Sequence, residues 1–213
     1  MVTMMTYPSR SEWLKGRKKT IGGSDAAAIL GLSNWMTNVE LWELKTGRSE
    51  SKEKSSPLMT YGQEAEEYLR ELFKLDYPGL KVFYEPNNLF MNPAYPWAHA
   101  SLDGWLEDEE GKRGVLEIKT ASPMSSEQYR KWQGKIPDNY FAQVLHEMAV
   151  YEADFSIVKA QLKRLIKGEM IIETRHYLFL RDDEEINFLM DQEKEFYEHI
   201  LNEERPNLIL PEV

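Results

Sequence analysis

Cysteine is absent from all 213 residues, which removes disulfides, thiolate zinc sites and cysteine-ligated iron–sulfur clusters from consideration. No apolar run approaches the roughly 20 residues of a membrane-spanning helix. The N-terminus lacks the apolar core of a signal peptide, so a cytoplasmic protein without membrane association is expected. Basic residues are in the minority: 26 Lys and Arg against 36 Asp and Glu leave a net charge of −10, the opposite of a nucleic-acid coat protein. Internal repeats and long linkers are missing too, although Ser49 to Pro57 reads as a polar loop. What is present is a globular composition, 42% hydrophobic and 12% aromatic, at a length that suits one sizeable core better than two full domains.

The first half reads as helical. Ser11 to Lys19 has a cap-like start. Gly23-Ser24-Asp25 opens an alanine-rich helix ending at Gly31, and Asn38 to Lys45 stops at Gly47. Met59 to Leu75 is amphipathic, with Ala65, Leu69, Leu72 and Phe73 on one face. Strands are expected over Lys81 to Glu85, Leu89 to Met91, Ala98 to Leu106 and Gly114 to Thr120. A helix over Tyr140 to Tyr151, a strand pair over Phe155 to Leu162 and Met170 to Leu180, and an acidic helix over Asp182 to Glu203 follow. Helices first and then a mixed sheet flanked by helices indicate an α/β (α+β) sandwich. The expected organisation is one domain over 1–213: a helical part over 1–58, a core over 59–180 and a C-terminal helix over 181–213.

The chemistry-bearing pattern lies in the middle. Asp103-Gly104-Trp105 is followed, fourteen residues after Asp103, by Glu117-Ile118-Lys119 on an apolar run. Strand alternation turns Glu117 and Lys119 one way and Ile118 into the core. Gly111-Lys112-Arg113-Gly114 supplies a turn that brings the two segments side by side. Two carboxylates can then hold Mg²⁺, and the lysine can orient a water or stabilise charge on a phosphate, as metal-assisted phosphodiester hydrolysis needs. Taken alone, the motif also reads as an ordinary turn and an exposed charge pair. Glu64 and Glu66 flank opposite edges of the apolar face of the long helix, and periodicity cannot choose between them. Gln143 falls on the helix after the sheet, where a buried amide needs polar partners. Arg17 falls on a helix within the basic stretch Arg10 to Lys19. Ser24 falls at the next helix N-terminus, where free N–H groups favour an anion. Taken singly, Arg17 is a surface charge, Ser24 a simple N-cap and His146 a packing or surface residue.

Together these residues resemble the lambda-type (YqaJ-like) phage alkaline exonucleases of the PD-(D/E)XK nuclease superfamily, over roughly Trp13 to Tyr151. The resemblance rests on Trp-X₃-Arg-X₆-Ser at Trp13, Arg17 and Ser24, Gly-X₃-Glu at Gly62 and Glu66, and Ser-X-Asp-Gly at Ser101 to Gly104. Glu-X-Lys at Glu117 to Lys119 and Tyr-X-Ala-Gln at Tyr140 to Gln143 complete it. Leu102 departs from the pattern, standing where many members have proline. The resemblance implies a restriction-endonuclease-like core and a nuclease with two Mg²⁺ ions, replaceable by Mn²⁺. Asp103 and Glu117 would be metal ligands with the Ile118 carbonyl, and Glu66, not Glu64, the helical carboxylate. Lys119 would position and activate the water, and Gln143 would orient the site. Arg17, Ser24 and Ser101 would form a pocket for the DNA 5′-phosphate, with strand alternation putting Ser101 and Asp103 on one face. The implied activity is 5′→3′ degradation of one strand of linear double-stranded DNA to 5′-mononucleotides, leaving 3′ single-stranded tails for phage-type recombination. The implied assembly is a homotrimer acting on duplex ends beside a single-strand annealing protein, in the cytoplasm of a bacterial host. The alternatives are an endonuclease or single-strand nuclease of the same superfamily, or an inactive DNA-end-binding module.

Overall fold

The computed structural model describes residues 1–50 and 56–210. Positions 51–55, the middle of the polar loop expected between Ser49 and Pro57, lie outside the described residues, as do 211–213. In chain order the elements are β1 (Thr3–Thr6), α1 (Arg10–Arg17), β2 (Ile21–Gly22), α2 (Gly23–Ile29), α3 (Asn38–Lys45) and α4 (Pro57–Asp76). They continue with β3 (Lys81–Phe83), β4 (Asn88–Met91), β5 (Ala98–His99), β6 (Gly104–Glu107), β7 (Arg113–Ala121) and α5 (Ser126–Arg130). The chain then forms α6 (Asp138–Tyr151), β8 (Phe155–Ile166), β9 (Glu169–Leu180) and α7 (Asp183–Leu201).

Local chemistry sets the helix starts. Ser9, Thr37, Ser56 and Asp182 each accept a backbone N–H from the first turn of α1, α3, α4 and α7, the usual work of an N-cap. Helix α2 differs from the expectation. Its N-cap is Gly22, and Asp25 bonds back to the Gly22 N–H at 2.9 Å, leaving Ser24 exposed in the first turn. Gly31 and Gly47 take positive φ values of 71° and 74° just past α2 and α3, the left-handed stop that glycine permits.

Five strands form the central sheet in the order β3-β6-β7-β8-β9. Only β7 and β8 run parallel; the other neighbours are antiparallel. A parallel neighbour needs a crossover, and α6 lies in the one that joins β7 to β8. On one face Ala65, Leu69 and Phe73 of α4 pack with Leu106, Leu116, Ile118, Phe155 and Ile157. On the other, Ala142, Leu145, Met148 and Ala149 of α6 join Val115, Val158 and Ala160. The mixed sheet between helical layers is as expected.

Four details are not. Leu72 stays 50% exposed while Phe73 is 0% exposed, because the buried stripe of α4 runs through Ala65, Leu69 and Phe73 at four-residue steps. The turn between β6 and β7 is Asp108 to Lys112, held by Asp108 Oδ1 accepting from the Glu110 and Lys112 N–H groups; Arg113 and Gly114 already belong to β7. The strand expected over Ala98 to Leu106 is interrupted at Ser101 to Asp103. There the Asn88 amide donates to the Leu102 carbonyl at 2.9 Å and accepts from its N–H at 2.8 Å, so a side chain takes the place of a neighbouring strand. β1, β2 and α5, each of two to five residues, are not among the expected elements.

Phe73→Ala is expected to cost about 3–5 kcal/mol of unfolding free energy in urea titrations. Leu72→Ala should change it by no more than about 0.5 kcal/mol; equal losses at the two positions would show the face of α4 to be misassigned.

Candidate functional site

β6 stops accompanying β7 at the Gly104–Leu116 pair, which frees one edge of β7 from Glu117 onward. Asp103 turns into the gap, and its Oδ2 accepts the Ile118 N–H at 2.8 Å. The N–H and C=O of a strand residue leave on the same side, so the Ile118 carbonyl also opens toward Asp103. Ile118 points its side chain into the α4 core, whereas Glu117 and Lys119 point to the face covered by α6. Burial on both faces leaves Glu117 only 2% exposed.

That face carries a closed set of polar contacts. Lys119 Nζ lies 2.5 Å from Glu117 Oε1 and donates to Gln143 Oε1 at 2.8 Å. Gln143 Nε2 donates to Glu117 Oε1 and to Glu147 Oε1, both at 2.8 Å. Tyr140 places its ring 4.8 Å from Lys119 Nζ. From the other side, on α4, Glu64 is exposed and Glu66 half-buried. Glu66 Oε1 accepts from Arg70 Nη1 at 3.3 Å, and the same nitrogen donates to the Asp103 carbonyl at 2.6 Å. The Arg70 guanidinium stacks 3.4 Å from the Tyr84 ring. Thus Asp103, Glu117, Glu66, Lys119 and Gln143 come together.

Glu147 and Arg70 were not anticipated, although a spacing signal existed for both. Each stands four residues after a polar residue already singled out, Gln143 and Glu66, one turn along the same helix face. Glu147 is 1% exposed, and among the described residues its Oε2 has no hydrogen-bond partner.

The electrostatics follow from crowding carboxylates in a buried place. Burial, then Glu117 and Glu66, raise the Asp103 pKa well above the ordinary value. Burial and Glu117 do the same for Glu147, and burial raises Glu66 against the opposing pull of Arg70. Burial works against the charged form of Lys119, but Glu117 and Asp103 outweigh it and raise its pKa. Lys119 therefore stays an ammonium at neutral pH, suited to donating and positioning. Among the described residues no three Asp, Glu or His side chains stand grouped to hold an ion as they are placed; their oxygens accept from Lys119, Gln143, Arg70 and the Ile118 N–H. By charge, donor type and the partnerless Glu147 oxygen, the set fits a hard cation.

Arg17 lies beside this cluster on α1. Its guanidinium stacks 4.4 Å from the Trp13 ring, and Nε donates to His99 Nε2 at 3.4 Å. It is half-buried and, among the described residues, makes no ion pair; burial lowers its pKa, with Asp25 and Glu147 opposing. Asp25 is taken by Lys45 Nζ at 2.6 Å. A Cβ built on Gly22 would lie 3.6 Å from Arg17 Nη2, so the guanidinium reaches the first turn of α2, where Ser24 stands. Ser101 is more committed: its hydroxyl donates to the Asn88 carbonyl at 2.9 Å and accepts from Trp13 Nε1 at 3.2 Å. Since Ser101 to Asp103 is not a strand, alternation does not relate those two residues. His146 is neither on the surface nor simply packed. Its Nε2 donates to the His99 carbonyl at 2.8 Å and its Nδ1 pairs with Glu193 at 2.7 Å.

With this geometry in place, residues 12–154 match the YqaJ-like viral recombinase domain. The chain belongs to that family. Over 202 residues it is 33% identical to the uncharacterised protein YqaJ of Bacillus subtilis (strain 168), covering 94% of this chain and 59% of that relative. It therefore spans less than two thirds of the relative's length. Among solved structures, the alkaline exonuclease LHK-Exo of Laribacter hongkongensis shares the fold at a TM-score of 0.64 and 20% identity, over 91% of this chain and 93% of that one. LHK-Exo has also been solved in complex with dAMP. A phage-related exonuclease of Haemophilus somnus 129PT follows at a TM-score of 0.58 and 14% identity, over 86% of this chain and 96% of that one.

A carboxyl with a raised folded pKa binds more protons folded than unfolded. Its contribution to stability is full below the ordinary carboxylate pKa and is lost as pH rises through the folded value. In chelator-treated protein, Glu147→Gln, which keeps an acceptor for Gln143 and cannot ionise, is expected to flatten the loss of stability between about pH 5 and about pH 8. Urea midpoints at the two pH values measure this; parallel losses in wild type and variant would clear Glu147 of the effect.

Proposed function

We propose that this chain hydrolyses the phosphodiester backbone of linear double-stranded DNA from the 5′ end, with Mg²⁺, releasing 5′-mononucleotides and leaving 3′ tails for recombination. The observation that carries the reading is the meeting of Asp103, Glu117, Glu66, Lys119 and Gln143 from one strand end, one central strand and two helices, beside an arginine that makes no ion pair among the described residues. Family membership supports it, as does the fold shared with two exonucleases. The dAMP bound by LHK-Exo is a mononucleotide of the kind this reaction would release.

Asp103, Glu117 and Glu66, with the Ile118 carbonyl, would hold the metal. Mg²⁺ bound there would supply Lewis-acid polarisation and an activated water. Gln143 keeps the Lys119 ammonium aimed at the cluster, where it positions the water and donates to charge developing on a phosphate oxygen. Glu66 is held through Arg70, which also fixes the backbone of Asp103. Arg17 offers planar, paired donors suited to a terminal phosphate monoester. Ser24, exposed in the first turn of α2, would add a hydroxyl, and Ser101 reaches a phosphate only by turning from Asn88.

The deciding experiment incubates end-labelled linear duplex with and without Mg²⁺ and resolves products from both ends. Loss of 5′ label as mononucleotide, only with Mg²⁺, is expected; cutting of covalently closed circles would replace the exonuclease reading with an endonuclease. Lys119→Ala should lower the rate by about 10²-fold or more while metal binding persists; more than about a tenth of the wild-type rate would remove Lys119 from the chemistry. Asp103→Ala and Glu117→Ala should each abolish Mg²⁺-dependent turnover, because few protein oxygens are there to replace one lost.

A further inference from the structure

Arg17 is steered by an imidazole. His99 sits at the end of β5, buried, with Nδ1 2.8 Å from Thr20 Oγ1 and Nε2 facing Arg17 Nε at 3.4 Å. Arginine has only donors, so the nitrogen that faces it must be an acceptor, and the ring proton must sit on Nδ1, given to Thr20. Burial first, then the charges of Arg17, His146 and Lys45, hold the His99 pKa well below its ordinary value, consistent with a neutral ring. Thr20 is fixed in turn, since its carbonyl accepts from Lys45 Nζ at 2.8 Å. The close approach depends on Gly22: a Cβ there would stand 2.8 Å from His99 Nε2.

The consequence concerns which donors of Arg17 are left over. Nε is used on His99, and one face of the guanidinium lies on Trp13. The two terminal nitrogens remain, and Nη2 is the one near Gly22 and the opening of α2. We propose that His99 is a positioning residue for recognition of the DNA 5′ end: as a neutral acceptor it occupies Arg17 Nε and so presents the terminal nitrogens to the 5′-phosphate. Carboxylate would also accept from Arg17, but it would neutralise the charge meant for the phosphate. A neutral imidazole orients the guanidinium without placing a carboxylate in contact with it. This inference rests on the reading of Arg17 as the phosphate-recognising residue.

The test separates the two nitrogens. A glutamine at position 99 reaches as far as Nε2 and can still accept from Arg17, whereas an asparagine reaches only as far as Nδ1 and keeps the tie to Thr20 alone. Binding of short linear duplex with a 5′-phosphate or a 5′-hydroxyl is measured by fluorescence anisotropy in chelator, so hydrolysis plays no part. Wild type is expected to favour the phosphate by about tenfold, His99→Gln to keep most of that ratio, and His99→Asn to bring it within about twofold. If His99→Asn discriminates like wild type, the His99 inference fails while the Arg17 pocket stands. If wild type itself does not discriminate, the pocket reading fails and this inference with it. The imidazole ¹H–¹⁵N spectrum of the unsubstituted protein gives a check that needs no variant to fold. It should show a buried neutral ring protonated at Nδ1 at pH about 7; a proton on Nε2 would overturn the inference.

Discussion

A central strand buried on both faces that nevertheless carries Glu117 and Lys119 is the constraint on which the site depends. Parallel pairing with β8 and cover by α6 leave Glu117 almost no contact with bulk water and Lys119 only a partial one, and an unpaired buried charge costs several kcal/mol. The Gln143 amide answers this with both of its ends. Its oxygen takes the ammonium, and its nitrogen serves Glu117 and Glu147 at once. A charged residue at position 143 could satisfy only one sign of partner, whereas an amide satisfies both and adds no net charge to a crowded cluster. The crossover helix that parallel pairing demands is thus also the element that stabilises the polar face of β7.

Asn88 does comparable work for the segment that delivers Asp103. Its side chain takes both backbone groups of Leu102, and its carbonyl accepts from Ser101 and Trp13. The chain can therefore leave β5, cross without strand pairing, and enter β6 with Asp103 aimed at the free edge of β7. Trp13, fixed by the same carbonyl, becomes the platform on which Arg17 lies. One asparagine thereby sets the relation between the carboxylate cluster and the anion-seeking arginine.

The sequence made the helices and the central sheet readable because long periodic stretches such as α4, β7 and α6 carry redundant signals. Glu117, Lys119 and Gln143 were legible for the same reason: a fixed spacing on a regular element determines which way a side chain points. What escaped notice depends on contacts between distant segments. The choice of Glu66 over Glu64 is made by packing against β7. The interruption at Ser101 to Asp103 is made by an asparagine thirteen to fifteen residues away in the chain. Glu147 drew no notice in the sequence, and only the burial of α6 turns it into a carboxylate beside the site with one oxygen on Gln143 and the other, among the described residues, without a partner. His99 was invisible for a similar reason, since Thr20, Gly22 and Arg17 reach it only after β2 pairs with β5.

The net charge of −10 is opposite to that of a nucleic-acid coat protein, and the fold separates charge of the two signs in space. The acidic turn at Asp108 to Glu110 caps the outer end of β6 and β7, and the carboxylate cluster lies toward the other end. The six steps from Arg113 to Lys119 span about 20 Å at strand rise, roughly twice the screening length at physiological ionic strength. The acidic turn is therefore well screened from the carboxylate cluster. The exposed Lys15, Lys18 and Lys19 share with Arg17 the helix α1 and the residues just beyond it, so positive charge is concentrated where a phosphate would arrive. Inside the cluster the repulsion among Asp103, Glu66, Glu117 and Glu147 remains, held in check by Lys119, Arg70 and the protonation that burial favours. A bound cation would relieve it further. The features that destabilise the empty site at high pH are the same ones that would draw in a divalent metal, so stability and cation affinity oppose each other in the same side chains.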